Sequence, residues 1–112
     1  MHYDLKVWQL AMDLLVDVYA ISKTFPDHEK FGLSSQMQRA AVSIPSNIAE
    51  GAGRESKPDF LRFLSIARGS LSELETQLLI AQRLGYIGEV GAVRIKIREI
   101  FSLLKGLMKS LK

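Results

Sequence analysis

The chain has no cysteine, three prolines and one tryptophan among its 112 residues. The lack of cysteine excludes a disulfide framework and every thiolate metal site, and it suits a reducing compartment. No apolar run approaches the ~20 residues that a membrane-crossing helix needs. The opening residues, Met1-His2-Tyr3-Asp4-Leu5-Lys6, lack the basic-then-apolar order of a secretory signal. The expectation is a cytoplasmic protein with no membrane span. No stretch of useful length alternates apolar and polar residues, so strands have little support. Solenoid-type repeats and low-complexity tracts are absent as well.

What the chain does have is helical periodicity. Proline- and glycine-marked breaks at 26–33, 51–58 and 85–88 separate four apolar-periodic segments, expected as helices near 4–24, 34–52, 58–84 and 89–110. An apolar fraction of 47% fits a packed core. The length fits one domain, residues 1–112, since domains usually run ~100–150 residues. Short connections between long helices make neighbours antiparallel. The fold class expected is therefore all-α, an antiparallel up-down four-helix bundle.

The third segment is the clearest helix. Ser56 with Asp59 has the spacing of a capping box, and Pro58 falls in the first turn, where it is tolerated. Phe60, Leu64, Ala67, Leu71, Leu74, Leu78 and Ala81 then step by four and three, the seam of a shallow-angle helix pair. Gly85 reads as the glycine that ends this helix. Along another face run the small residues Ser65, Gly69, Ser72 and Thr76, either a close-approach seam or a solvated face. In the second segment Met37, Ala41, Ile44 and Ile48 form a core seam, and Pro45 is expected to kink the helix or tighten a turn.

Two faces exceed what a small bundle needs. The first helix confines its polar residues to a narrow arc, and its apolar residues cover most of the rest. A bundle helix uses an apolar stripe of about 100° or somewhat more. The surplus, with Trp8 and Tyr19 on it, marks an interface or else half-exposed aromatics at the core edge. The second helix carries a polar seam that includes Arg39, Asn47 and Glu50. Arg39 and Glu50 are too far apart to pair within one helix, leaving pairing across helices or subunits, or plain solvation. Trp8, Tyr19, Arg39, Asn47 and Glu50 are the expected oligomer interface.

These residues carry a resemblance. The stretch Phe31-Gly-Leu-Ser-Ser-Gln-Met-Gln-Arg-Ala-Ala-Val-Ser-Ile-Pro-Ser-Asn-Ile-Ala-Glu-Gly51, followed by Gly53-Arg54, resembles the signature of the bacterial four-helix-bundle proteins of ribosomal RNA intervening sequences. Val7-Trp8-Gln9, Phe25-Pro26, Phe60, Phe63-Leu64, Ile66-Ala67, Gly69-Ser70, Glu73-Leu74-Glu75 and Leu84-Gly85-Tyr86 extend it to cover roughly Leu5 to Tyr86. The last helix has the right place and length but no matching motif. The resemblance implies a ring-like homopentamer. It also implies kinship with the accessory protein of diversity-generating retroelements, a basic pentamer that binds nucleic acid and a reverse transcriptase.

No chemical constellation accompanies these features. His2 and His28 lie at the terminus and in a loop, without metal-pair spacing, and the Glu-x-x-His signature of di-iron bundles is absent. Gly51-Ala52-Gly53 lacks the Gly-Lys-Ser ending of a phosphate loop and reads as a helix stop. No enzyme, catalytic residue, metal or cofactor is assigned.

Charge is unevenly spread. The net charge is +3, yet residues 89–112 alone carry +4. Arg94, Arg98, Lys105, Lys109 and Lys112 fall within about 60° of arc beside an apolar seam, a basic edge about 27 Å long. Such an edge either flanks a buried seam for solubility, helped by the helix C-terminus, or contacts the phosphates of RNA or DNA. The kinship favours the second reading, with Arg94, Arg98 and Lys105 contributing most. The alternative partner is a protein such as a reverse transcriptase docked on the ring. No aromatic interleaves the edge, so base stacking is not indicated. Its apolar face is needed for the bundle, so a membrane surface ranks last.

Overall fold

A single 3-10 turn, His2–Asp4, precedes the extended backbone of Leu5, which starts the first long helix, α1, Lys6–Ser22. In the computed structural model, which describes all of residues 1–112, three more helices follow. They are α2, Leu33–Ala52, α3, Lys57–Arg83, and α4, Gly91–Ser110, with no strand. The expected starts at 4 and 89 are each two residues early, because Leu5 and Val90 sit outside helical backbone geometry as caps.

The caps of α3 follow the local chemistry. The Asp59 N–H donates to Ser56 Oγ at 3.2 Å, while the Asp59 carboxylate turns to Arg62 instead of closing the reciprocal bond of a capping box. At the other end Gly85 has φ +78, and the N–H groups of Gly85 and Tyr86 reach the carbonyls of Gln82 and Ala81, both at 3.0 Å. This is a Schellman ending, and it needs a residue without a Cβ. α2 runs without a break through Pro45. The proline ring is buried, and its missing N–H leaves one carbonyl of the preceding turn without its helical donor.

Each helix packs on its two neighbours around a square, most extensively α2 on α3, and the molecule measures 43 × 25 × 19 Å. The core takes Val7, Ala11, Leu14 and Val18 from α1, and Met37, Ala41, Ile44 and Ile48 from α2. It takes Leu64 through Ala81 of the α3 seam, and Ile97, Ile100, Leu104 and Met108 from α4. Phe60, expected to be buried, is only half-buried, since the first turn of α3 lies at the open end of the bundle. There it meets Gly51, where a Cβ would sit 2.8 Å from Phe63 Cβ and 2.9 Å from Phe60 Cδ1. The α2–α3 pair thus closes on a glycine that leaves no room for a methyl group. The small-residue seam Ser65, Gly69, Ser72 and Thr76 is exposed, with nothing near Gly69 and with Thr76 bonded back to the Ser72 carbonyl.

At the opposite end a hydrogen-bonded latch joins the two loops. Tyr86 from the α3–α4 turn donates to Glu29 Oε2 at 2.8 Å, and Glu29 Oε1 accepts from the Leu33 N–H at 3.1 Å in the first turn of α2. His28 Nε2 lies 3.3 Å from the same Tyr86 hydroxyl. The Leu33 N–H, then the Tyr86 hydroxyl, hold the Glu29 carboxyl below its ordinary value, and the Glu29 carboxylate in turn raises Tyr86.

Two expectations follow for stability. Gly51→Ala should destabilise by about 1–3 kcal/mol through overpacking. Gly69→Ala, in open space on the same helical hairpin, should stabilise by about 0.5–1 kcal/mol. Urea unfolding of both variants checks the opposite signs. For the latch, a carboxyl with a depressed folded value stabilises fully above its ordinary 4.5 and loses that contribution as pH falls through the folded value. Urea midpoints from neutral pH downward should therefore fall less steeply for Glu29→Gln than for the wild type. An identical acid limb in the two proteins would remove the latch from the account.

Candidate nucleic-acid interface

Short turns around α3 decide which charges meet. Because α4 runs antiparallel to α3, residues equally far from the middle of the α3–α4 turn come side by side. Glu75 and Arg98 are such a pair, and Arg68 and Lys105 are another. The six basic side chains of residues 89–112, five on α4 and Lys112 just past its end, consequently divide into three groups.

Lys96 faces α1 and binds Asp17, while Glu99, on the same side, meets Lys6 of α1 at 3.7 Å. Arg94 and Arg98 face α3 and converge on Glu75. Arg98 Nη2 donates to Glu75 Oε1 at 2.9 Å, and Arg94 Nε lies 3.7 Å from Oε2. The Arg98 guanidinium also stands over the Phe101 ring, 5.5 Å from its centroid. Lys105, Lys109 and Lys112 form the third group, and no acidic side chain lies within 4.0 Å of any of them.

Those three lysines meet Arg68 of α3, which is also unpaired, around a shallow groove of about 310 Å³ with Met108 between them. Four like charges without a counter-ion raise the local positive potential and attract polyanions. The basic edge of α4 is thus divided, with its first two arginines engaged by a carboxylate and its last three lysines free. Arg68 was not among the residues singled out from the sequence. Its signal was its distance from the turn, matched to that of Lys105.

The expected interface residues are also distributed. Tyr19 and Arg39 line one outer groove between α1 and α2, together with Gln38 and Val42. Tyr19 belongs to an exposed apolar row with Met12 and Val16 of α1 and Val42 of α2. Trp8 is half-buried against the core and takes the His2 ring edge-on at 5.2 Å. Asn47 folds back on Ser43, and Glu50 pairs with Arg54 at 2.8 Å. Arg39 and Glu50 do not meet within the chain, and Arg39 has no ion-pair partner in it.

A model of the 23S rRNA-intervening sequence protein family matches residues 3–106, through most of α4. Among solved structures, a protein of unknown function from the S23 ribosomal protein family of Bacteroides thetaiotaomicron is 27% identical to this chain. The alignment covers 92% of this chain and 98% of that one, with a TM-score of 0.85. No curated protein matches the chain. No helix is long and apolar enough to cross a membrane.

Proposed function

The chain belongs to the 23S rRNA-intervening sequence protein family, and from that premise we propose a cytoplasmic, non-catalytic bundle that self-associates and binds nucleic acid, RNA in the first instance. The contact is made at the lysine end of α4. One observation carries this reading: Arg68, Lys105, Lys109 and Lys112 converge from two helices with no acid to balance them. Free lysines on flexible stems match a phosphate backbone without reading bases, so affinity comes from counterion release and not from sequence.

Self-association is proposed through the exposed row Met12, Val16, Tyr19 and Val42, with Arg39 at its margin. The family resemblance implies five copies, which would repeat the basic groove around a ring and multiply its avidity. A protein partner such as a reverse transcriptase is the second reading. Its support is the exposed apolar surface at the far end of the bundle, where Phe31 is 90% and Leu84 54% exposed.

Fluorescence anisotropy with labelled single-stranded RNA tests the first reading. Three to four phosphate contacts per chain predict a roughly 20- to 50-fold loss of affinity between about 50 and 200 mM salt. The double variant Lys105→Glu with Lys109→Glu should lose binding while keeping its helical circular dichroism, and Arg68→Gln should weaken binding and flatten the salt slope. Absence of binding at low salt would leave the groove a solvated surface. For assembly, light scattering at micromolar concentration should give a mass near five chains, and Val16→Glu should shift it toward one. A wild-type monomer would remove the ring.

A further inference from the structure

We propose that Glu75 sets the length of the phosphate track on this bundle, a step that rests on the RNA reading above. Without Glu75 the basic edge would run unbroken from Arg94 to Lys112, about 27 Å of helix. With it, the free portion shrinks to Lys105–Lys112, about 10 Å.

The geometry explains why the two arginines stay engaged. The Glu75 side chain is only 14% exposed, so its carboxylate sits mostly between the helices and must be compensated there. Arg98 is the direct hydrogen-bond donor to it, at 2.9 Å. Arg94 Nε and Glu75 Oε2 are both buried and have no hydrogen-bond partner, yet they face each other at 3.7 Å as an ion pair. The Arg98 side chain is 62% exposed and has N–H donors to spare. Yet a phosphate that drew either arginine away would strip a mostly buried carboxylate of its compensation, and one that approached Arg98 in place would meet a charge already balanced by Glu75. No such obstacle faces Lys105, Lys109 or Lys112, which are exposed and without an acidic partner. Glu75 thus acts as an internal stand-in for a phosphate, occupying the upper half of the edge and confining an external polyanion to the lower half.

The consequence is a measurable one, because the slope of log affinity against log salt counts phosphate contacts. The probe is a labelled oligouridylate long enough to run the whole edge, titrated across a salt series. Glu75→Gln keeps the size of the side chain and removes its charge. It should steepen the slope by about 0.7 for each arginine released, an added loss of about three-fold per contact between about 50 and 200 mM salt. In the wild type, Arg98→Gln should leave the slope unchanged. In the Glu75→Gln background the same change should take back about one contact. Equal slopes for wild type and Glu75→Gln would overturn the inference while leaving the lysine groove standing, provided Lys105→Glu with Lys109→Glu still abolishes binding. A lowered slope for Arg98→Gln in the wild type would also overturn it, since Arg98 would then already touch phosphate. That arm decides the matter if Glu75→Gln proves too unstable, as circular dichroism would reveal. If neither the wild type nor Glu75→Gln binds the probe, both this inference and the reading beneath it fall.

Discussion

Helix α3 packs on both α2 and α4, and the two turns that bracket it govern where the charged side chains of its neighbours come to rest. At one end Gly51 lets α2 approach so closely that a single Cβ would collide with Phe60 and Phe63. At the other, the left-handed Gly85 and its Schellman bonds reverse the chain within a few residues. With both turns short, α3 has no freedom of register against either partner. The seam from Leu64 to Ala81 is then buried without interruption. Three flank residues of α3 are thereby brought against its neighbours: Ser70 bonds Ser43 at 2.8 Å, Glu75 takes Arg98, and Arg68 shares a groove with Lys105.

Much of the stretch that carries the family resemblance finds its explanation in this packing. Met37, Ala41, Ile44, Pro45 and Ile48 are core. Ser43 takes a bond from Asn47 Nδ2 at 2.9 Å and holds Ser70 across the helix pair, so two polar side chains are satisfied at a half-buried contact. Gly51 is the close approach, and Arg54 pairs with Glu50 and stacks on Phe63, its guanidinium 4.8 Å from the ring centroid. The signature therefore describes how the α2–α3 hairpin closes more than it describes a ligand site. The basic groove, by contrast, is built largely from the C-terminal part of α4, where the resemblance had no motif.

Charge is handled differently along α4. Near its start, Lys96, Arg94 and Arg98 are tied to acids on the two flanking helices, and these ion pairs help hold the helix against α1 and α3. The partly exposed Lys96–Asp17 pair contributes modestly, whereas Arg94 and Arg98 compensate a carboxylate that is mostly buried. Near its end, three lysines accumulate with Arg68 and no acid. The negative end of the helix dipole and full hydration of the ammonium groups make this tolerable. Mutual repulsion nonetheless leaves the groove poised to gain from any anion that enters it.

Helical periodicity was enough for the four helices, their antiparallel order and the core seams of α2 and α3, because apolar residues recurring near every 3.6 positions mark one inward face. It did not pick out Val7, Ala11, Leu14 and Val18 from the over-wide apolar surface of α1. Ser56, Gly85 and the leucine seam were each legible from local chemistry alone. Phe60 was not, since a seam shows which face is inward but not where the bundle ends and its last layer opens to water. The basic edge was legible as an arc on one helix, but its division was not. Whether an arginine on that arc is free depends on what a different helix places opposite it, and only the tertiary register puts Glu75 beside Arg94 and Arg98 and Arg68 beside the lysines. Helical periodicity is a property of one segment, whereas electrostatic availability belongs to a pair of segments brought within a few ångströms, and that distance exists only in the folded chain.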